Sequence, residues 1–405
     1  MKKHYRNIDV MKGICILIVI FEHSKWTRAQ WLKLLIPFWD RIAIPCFMVI
    51  SGFVYSRSIE GKSLKEAYAP KSKFKKLKRY LLPFLFVFLI ECILYRIAAS
   101  SFIKEFLLRR FNYVYASDIN EKMTLSTIIR AFFNGGYGPG NYYTPDLIQL
   151  VLLFPILYRF MKRYGYRGLI YSFFFCLLSE LWQYYFHIPN EIYRYLVFRH
   201  IMNICFGIYL SLGLYKKNRI LNILSMMIGF SYIIAHSYYR WTPFFFNRSW
   251  ADVCFIPCMF FIPIIAFFIQ KEKITCKPLE QIGKASYHIY LTQMIYYNFV
   301  KKDIALTFIR NQYLWCFISI LLCAFFGYLF YELENKIRSK YKFCALLLDY
   351  PIGTEVRFSL LPHMAYTDPV LMAFISASFM LCLVSSQLRQ VLIPLHRYPD
   401  VSPDI

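Results

Sequence analysis

The sequence predicts an all-α, polytopic membrane protein with about ten transmembrane helices. Composition is the first reason. Of 405 residues, 58% are hydrophobic and 20% aromatic, and only 18% are charged, against about 25% in a typical soluble chain. Distribution is the second. The apolar residues fall in runs near the roughly 20 residues that cross a bilayer as one helix. The third is charge alternation: every second loop between runs is basic, as expected of cytoplasmic loops.

The predicted spans cover about 9–28, 36–56, 80–100, 142–160, 168–187, 195–215, 220–239, 252–270, 285–300 and 312–333. Arg57 to Arg79 holds nine Lys or Arg residues. "YRFMKRYGYR" (158–167), "KKNR" (216–219), "KEKITCK" (271–277) and "NKIRSKYK" (335–342) fall on the same side. Loops 187–194 and 240–251 carry few basic residues. The N-terminus and residue 340 are therefore expected in the cytoplasm, and the protein in the plasma membrane. The first run follows "MKKHYRNIDVMKG", has no small-residue cleavage site and is expected to be retained as a span.

The long outer loop 101–141 contains "FFNGGYGPGNYY". Its glycines lack the Lys-Ser/Thr ending of a nucleotide-binding loop. It reads either as a turn into the fourth span or as a lid or wall over a polar site. Residues 343–405 contain no Lys, Asn or Trp and one apolar run, 369–384, short for an eleventh span. The chain thus divides into an integral-membrane domain, 1–342, and a tail, 343–405, to which the sequence assigns no function.

The formal charge of +25 would suggest nucleic acid on a soluble protein. Here the basic residues flank apolar spans, where they set topology and meet anionic lipid headgroups. Membrane lipids are expected partners and nucleic acid is not. The twelve cysteines include no C-x-x-C pair, and most lie in apolar runs, where a thiol acts as a small hydrophobe. Neither a structural disulfide nor a metal site is expected. No pattern predicts an oligomeric state.

The chemistry concentrates on the first helix. "CILIVIFEHSKW" (15–26) places Glu22 and His23 at the end of an apolar run. Lys12 precedes His23 with ten residues between, about three helical turns, so both project from nearly one face about 16 Å apart. Asp9 lies one turn below Lys12. A charged group within a span costs roughly 2.5–3.5 kcal/mol on insertion scales and usually faces a bundle interior or a wet cavity. The competing reading makes Glu22 and His23 a helix end at the headgroups, with Glu22 pairing Lys25. Glu22 points about 100° away from His23.

"YRNIDVMKGICILIVIFEHS" resembles the opening of the acyltransferase-3 family of integral-membrane O-acyltransferases. That family carries a basic residue, usually Arg, separated by ten residues from an essential His; Lys12 and His23 meet the spacing, with Lys in place of Arg. "DRIAIPCFMVISGF" (40–53), "KKLKRYLLPF" (75–84), "GPGNYYTPDLIQLVLLFPIL" (138–157), "GKASYHIYLTQM" (283–294) and "FFGYLFYELENKI" (325–337) resemble later blocks in the same order. The likeness covers about residues 5–342. Many members have a His where Gln293 stands.

The resemblance implies transfer of an acyl group, often acetyl, from cytoplasmic acyl-CoA to a hydroxyl, often of a surface or lipid-linked carbohydrate. Acyl-CoA is then a co-substrate, with no bound cofactor and no metal. A histidine with an ordinary pKa near 6.5 can take a sugar hydroxyl proton during attack; it can also hold the acyl group itself. His23 is expected as the catalytic residue, general base being favoured. Lys12, Lys78 and Arg79 are expected at the CoA phosphates, although positive-inside topology alone also explains Lys78 and Arg79. Arg41 either steadies the acceptor or an oxyanion, or pairs with Asp40 or Glu22. Glu22, Tyr142 and Tyr143 complete the acceptor-side candidates, the tyrosines as stacking surfaces for a sugar ring. The alternative function is a multi-span glycan transporter or flippase; the absence of a convincing internal repeat argues against it.

Overall fold

The computed structural model describes residues 5–24, 26–39, 42–98, 124–241, 243, 255–271, 274–300, 305–306 and 309–348, of which 98, 190–191 and 340–348 by backbone alone. The chain divides into two compact units, Met1–Ser339 and Lys340–Ile405. The regular structure of the first unit is helical throughout its described residues. In order come α1 (Arg6–Glu22), α2 (Arg28–Lys33), α3 (Ala43–Ile59), α4 (Leu64–Ala67), α5 (Pro70–Ala98) and α6 (Leu125–Phe133). Then come α7 (Tyr143–Tyr164), α8 (Tyr166–Tyr185), α9 (Asn190–Tyr193), α10 (Ile201–Ser211) and α11 (Arg219–Tyr239). The series ends with α12 (Phe255–Phe260), α13 (Ile262–Gln270), α14 (Lys277–Lys284), α15 (Ser286–Phe299) and α16 (Gln312–Leu348).

Each of the ten apolar stretches expected to span falls mainly on helix. Among the described residues, five helical segments are long and apolar enough to cross a bilayer: Ile36–Ile59, Leu64–Ile97, Tyr143–Tyr164, Arg219–Tyr239 and Gln312–Ser339. The protein is thus a multi-span membrane protein. The other stretches make shorter or interrupted helices, for local reasons. Stretch 252–270 breaks at Phe261 between α12 and α13; Pro263, in the first turn of α13, has no N–H to continue the preceding ladder. Stretch 195–215 opens as a 3-10 turn, Val197–His200, and becomes α-helical only at Ile201.

The first helix sits inside the bundle, with Ile8, Met11, Cys15, Ile16, Val19 and Ile20 all buried. Lipid tails offer no hydrophobic drive for helix pairing, so close packing of small residues must supply it. Gly13 of α1 lies against the Leu279 carbonyl of α14, and Gly283 of α14 against the Asp9 carbonyl of α1; a Cβ at either would collide. The same device joins α3 to α10, where Gly52 and Gly207 face the Ile204 and Val49 carbonyls. Polar side chains fix the register of α1. The Asn7 amide donates to the Phe268 and Ile269 carbonyls at 2.6 and 3.2 Å, satisfying carbonyls near the end of α13 that lack helical partners. The Arg6 guanidinium pairs with Glu280 of α14 at 3.0 Å.

Candidate active site

The apolar run of α1 does not reach residue 28 as one helix: it stops at Glu22, with His23 as its C-cap. The last carbonyls of a helix need outside donors, and here they have them. Val19 accepts from the His23 amide at 3.2 Å. Ile20 accepts from the Tyr297 hydroxyl at 2.8 Å. Phe21 accepts from the Trp26 indole at 2.9 Å. The helix end is thereby fixed from two directions, and His23 is held half-buried with its ring 5.8 Å from that of Tyr297.

Across from His23 runs the glycine-rich segment 134–142. Gly135, Gly136 and Gly140 have φ of 80°, 107° and 83°, a region L side chains rarely adopt. Every turn of this segment is tied down. Glu91 of α5 accepts from the Tyr137 amide at 3.2 Å. Asn141 donates to the Gly136 carbonyl at 3.0 Å and to the Tyr195 hydroxyl at 3.2 Å. From α15, Tyr290 donates to the Gly140 carbonyl at 2.8 Å and Gln293 to that of Pro139 at 3.4 Å. A Cβ on Gly140 would stand 3.9 Å from His23 Nε2, 3.9 Å from Gln293 Nε2 and 3.4 Å from the Tyr290 ring. Segment 134–142 therefore leads into α7 and sets the bare Gly140 backbone near the imidazole. The first part of the outer loop, residues 101–123, lies outside the described residues.

The other expected residues are spread over the bundle. Lys12 is half-buried near the opposite end of α1 and pairs with Asp9 at 3.1 Å. Lys78 and Arg79 are exposed on α5. Arg79 lies within electrostatic reach of the Tyr55 phenol, whose oxygen is 2.6 Å from that of Tyr80. Tyr287 donates to the Tyr80 carbonyl at 3.1 Å and its ring stacks 5.9 Å from that of Tyr290. A file of tyrosines thus links the basic end of α5 to Gly140 and His23. Tyr143 is a core side chain, its ring 5.1 Å from Tyr290 and 6.0 Å from Phe47. Tyr142 lies under the Arg199 guanidinium at 5.3 Å. Glu22 is exposed. Arg41, with Asp40 and Lys25, lies outside the described residues.

Sequence reasoning missed the buried carboxylate Glu91, and the bundle buries further polar groups. Gln293 is fully buried, and its Oε1 has no hydrogen-bond partner among the described residues. Glu91 is fully buried as well. Its signal is a single carboxylate in the apolar stretch 80–100. His200, near the centre of stretch 195–215, faces Asp146 at 3.5 Å, and neither side chain is exposed. His288 is paired to Glu334, which also holds Arg338. Among the described residues no group of three or more His, Cys, Asp or Glu side chains is arranged to hold a metal ion.

A helical membrane bundle with one imidazole presented at the end of its central helix, against a backbone wall, defines a class: membrane proteins with an intramembrane polar site. The particular family follows from comparison. The family model described as an acyltransferase domain, that of acyltransferase 3, matches residues 5–332, and the chain belongs to that family. It is a membrane acyltransferase, which requires an acyl donor and an acceptor. Neither a curated protein nor a solved structure matches the chain.

Proposed function

We propose that the protein transfers an acyl group, acetyl in the simplest case, from acyl-CoA on the basic side of the membrane to a hydroxyl of a surface or lipid-linked carbohydrate. The observation that carries this reading is the setting of His23. Its Nε2 and the Gln293 amide each lie 3.9 Å from where a Cβ on Gly140 would stand, and the Tyr290 ring 3.4 Å. An imidazole so placed can accept a proton, and the bare Gly140 backbone puts no side chain of its own against it.

In the proposed step His23 Nε2 takes the proton of the acceptor hydroxyl as its oxygen attacks the thioester carbonyl. The carbon–oxygen bond forms, the carbon–sulfur bond breaks, and the proton returns from His23 to the departing thiolate. Lys12, Lys78 and Arg79 would hold the CoA phosphates through charge-assisted hydrogen bonds. The tyrosine file from Tyr55 to Tyr290 supports a route for the pantetheine arm toward His23. Arg41, Glu22 and Tyr142 remain acceptor-side candidates. Tyr143, packed in the core, would act by shaping the wall.

The test is transfer from labelled acetyl-CoA in membranes carrying wild type or His23→Ala at matched abundance. Transfer by wild type and none by the variant is the expected result. Equal transfer by both removes His23 from the mechanism.

A further inference from the structure

Glu91 is a fully buried carboxylate on α5, within a segment whose other central residues are mostly apolar and often lipid-facing: Leu85, Phe86, Leu89 and Ile93 are all exposed. An ionisable side chain at that depth is costly unless it has partners, and such residues face functional interiors. Its partners here are specific. Oε2 accepts the Tyr137 amide at 3.2 Å, and the Gly138 amide also faces the carboxylate. The Asn298 side chain stands beside it and is held in turn by the Tyr95 hydroxyl at 2.8 Å. On the other flank a Cβ at Gly136 would come within 2.9 Å of Oε2. The glycine therefore admits the carboxylate to the backbone.

Two consecutive amides turned toward one carboxylate make a backbone anchor. The second anchored residue, Gly138, is two positions from Gly140. Gly138 is itself pressed against Met294 so closely that a Cβ would clash with the Met294 backbone. Movement at 137–138 therefore passes directly to the wall beside His23. We propose that Glu91 is a positioning residue: by gripping the Tyr137 and Gly138 amides it holds the Gly140 wall at the distance from His23 that transfer requires. This inference rests on the reading of His23 as the transfer site. Glu91 touches neither donor nor acceptor, and acts through the loop.

The experiment compares full-length wild type, Glu91→Gln, Glu91→Leu and Gly136→Ala, purified in detergent at matched folded fraction. Three readouts are taken: kcat and KM for acetyl-CoA, thermal melting, and the rate at which diethyl pyrocarbonate modifies His23, located by mass spectrometry. Glu91→Gln keeps an acceptor oxygen for the amides and is expected to retain most activity. Glu91→Leu removes it and is expected to lower kcat roughly 10- to 100-fold, a misplaced-geometry effect, with the donor KM within about twofold. His23 modification should accelerate in the same variant. Gly136→Ala, which pushes on Glu91 from the loop side, should give the same signature if Glu91→Leu does not fold.

If kcat per folded molecule is unchanged in both Glu91→Leu and Gly136→Ala, the role is structural only and the proposal fails. If Glu91→Gln is as inactive as Glu91→Leu, charge rather than amide anchoring is what matters, and the proposal fails in that form. Absence of transfer by wild type itself, or unchanged transfer by His23→Ala, removes the parent reading and this inference with it.

Discussion

His200 Nε2 stands 3.5 Å from Asp146 Oδ2 with both side chains fully shielded, one turn into α7 from the glycine segment. Arg199 lies beside the pair and over Tyr142. Removing one member of a buried polar pair leaves the other unsatisfied and costs about 1–3 kcal/mol, whereas replacing both with apolar groups of similar shape is often nearly neutral or better. Asp146→Ala is therefore expected to lower the melting temperature sharply in detergent. The double replacement Asp146→Leu with His200→Leu should recover part of that loss. Additive losses in the double variant would show that the two residues do not act as a pair.

The helical, multi-span class was legible because it rests on composition and run length, which folding does not change. α7 and α11 follow their apolar runs closely, whereas α5 begins at Pro70, well before the run that opens at 80. The interrupted stretches were harder. The break at Phe261 depends on where Pro263 falls within its helix, and the start of α10 on the buried Arg199 and His200. At the site, Lys12 and His23 were readable because both lie on one helix, where 3.6 residues per turn fixes their relation. Gly140, Tyr290 and Gln293 come toward His23, and Glu91 to the loop that holds Gly140, from segments far along the chain. No local periodicity links them, and only the packing of α1, α5 and α15 around segment 134–142 brings them together.

The Arg6–Glu280 pair, 3.0 Å long, ties α1 to α14 on the basic side and gives acid stability a direction. The Arg6 guanidinium holds the Glu280 carboxyl below its ordinary value of 4.5. A carboxyl lowered in the folded state binds fewer protons there than when unfolded, so stability rises with pH through that window. The contribution is complete above the unfolded value and is lost as pH falls through the lowered one. Melting temperature should therefore decline on acidification below about pH 4.5, and Arg6→Gln should make that part of the decline shallower. An identical acid profile for wild type and Arg6→Gln would refute the link.

Lys12 pairs with Asp9 at 3.1 Å, which orients the half-buried ammonium. If that ammonium meets a CoA phosphate, Lys12→Ala loses an interaction made equally in ground and transition states. Its mark is a raised KM with kcat little changed. A rise of about 10-fold in KM for acetyl-CoA is expected, matching the loss of about 1.4 kcal/mol from one charged hydrogen bond. Lys12→Arg keeps the charge and should stay within a few-fold of wild type. Initial-rate measurements over a range of donor concentration decide it; an unchanged KM in Lys12→Ala excludes the phosphate role.

The contact of α3 with α10 has no slack, because Gly207 faces the Val49 carbonyl and Gly52 the Ile204 carbonyl. A methyl at either position must push one backbone off the other. Overpacking costs about 1–3 kcal/mol where side chains can adjust; here the obstruction is backbone, so the upper part of that range is expected. Gly207→Ala should lower thermal stability well beyond Leu89→Ala, a truncation on the lipid-facing side of α5 where the side chain is 53% exposed. The glycine variant should also reduce transfer only in proportion to the folded fraction, since the α3–α10 seam is separate from the wall at Gly140. Equal melting temperatures for the two variants would mean that the helices are not held in the close contact described, and that small residues are not what joins them.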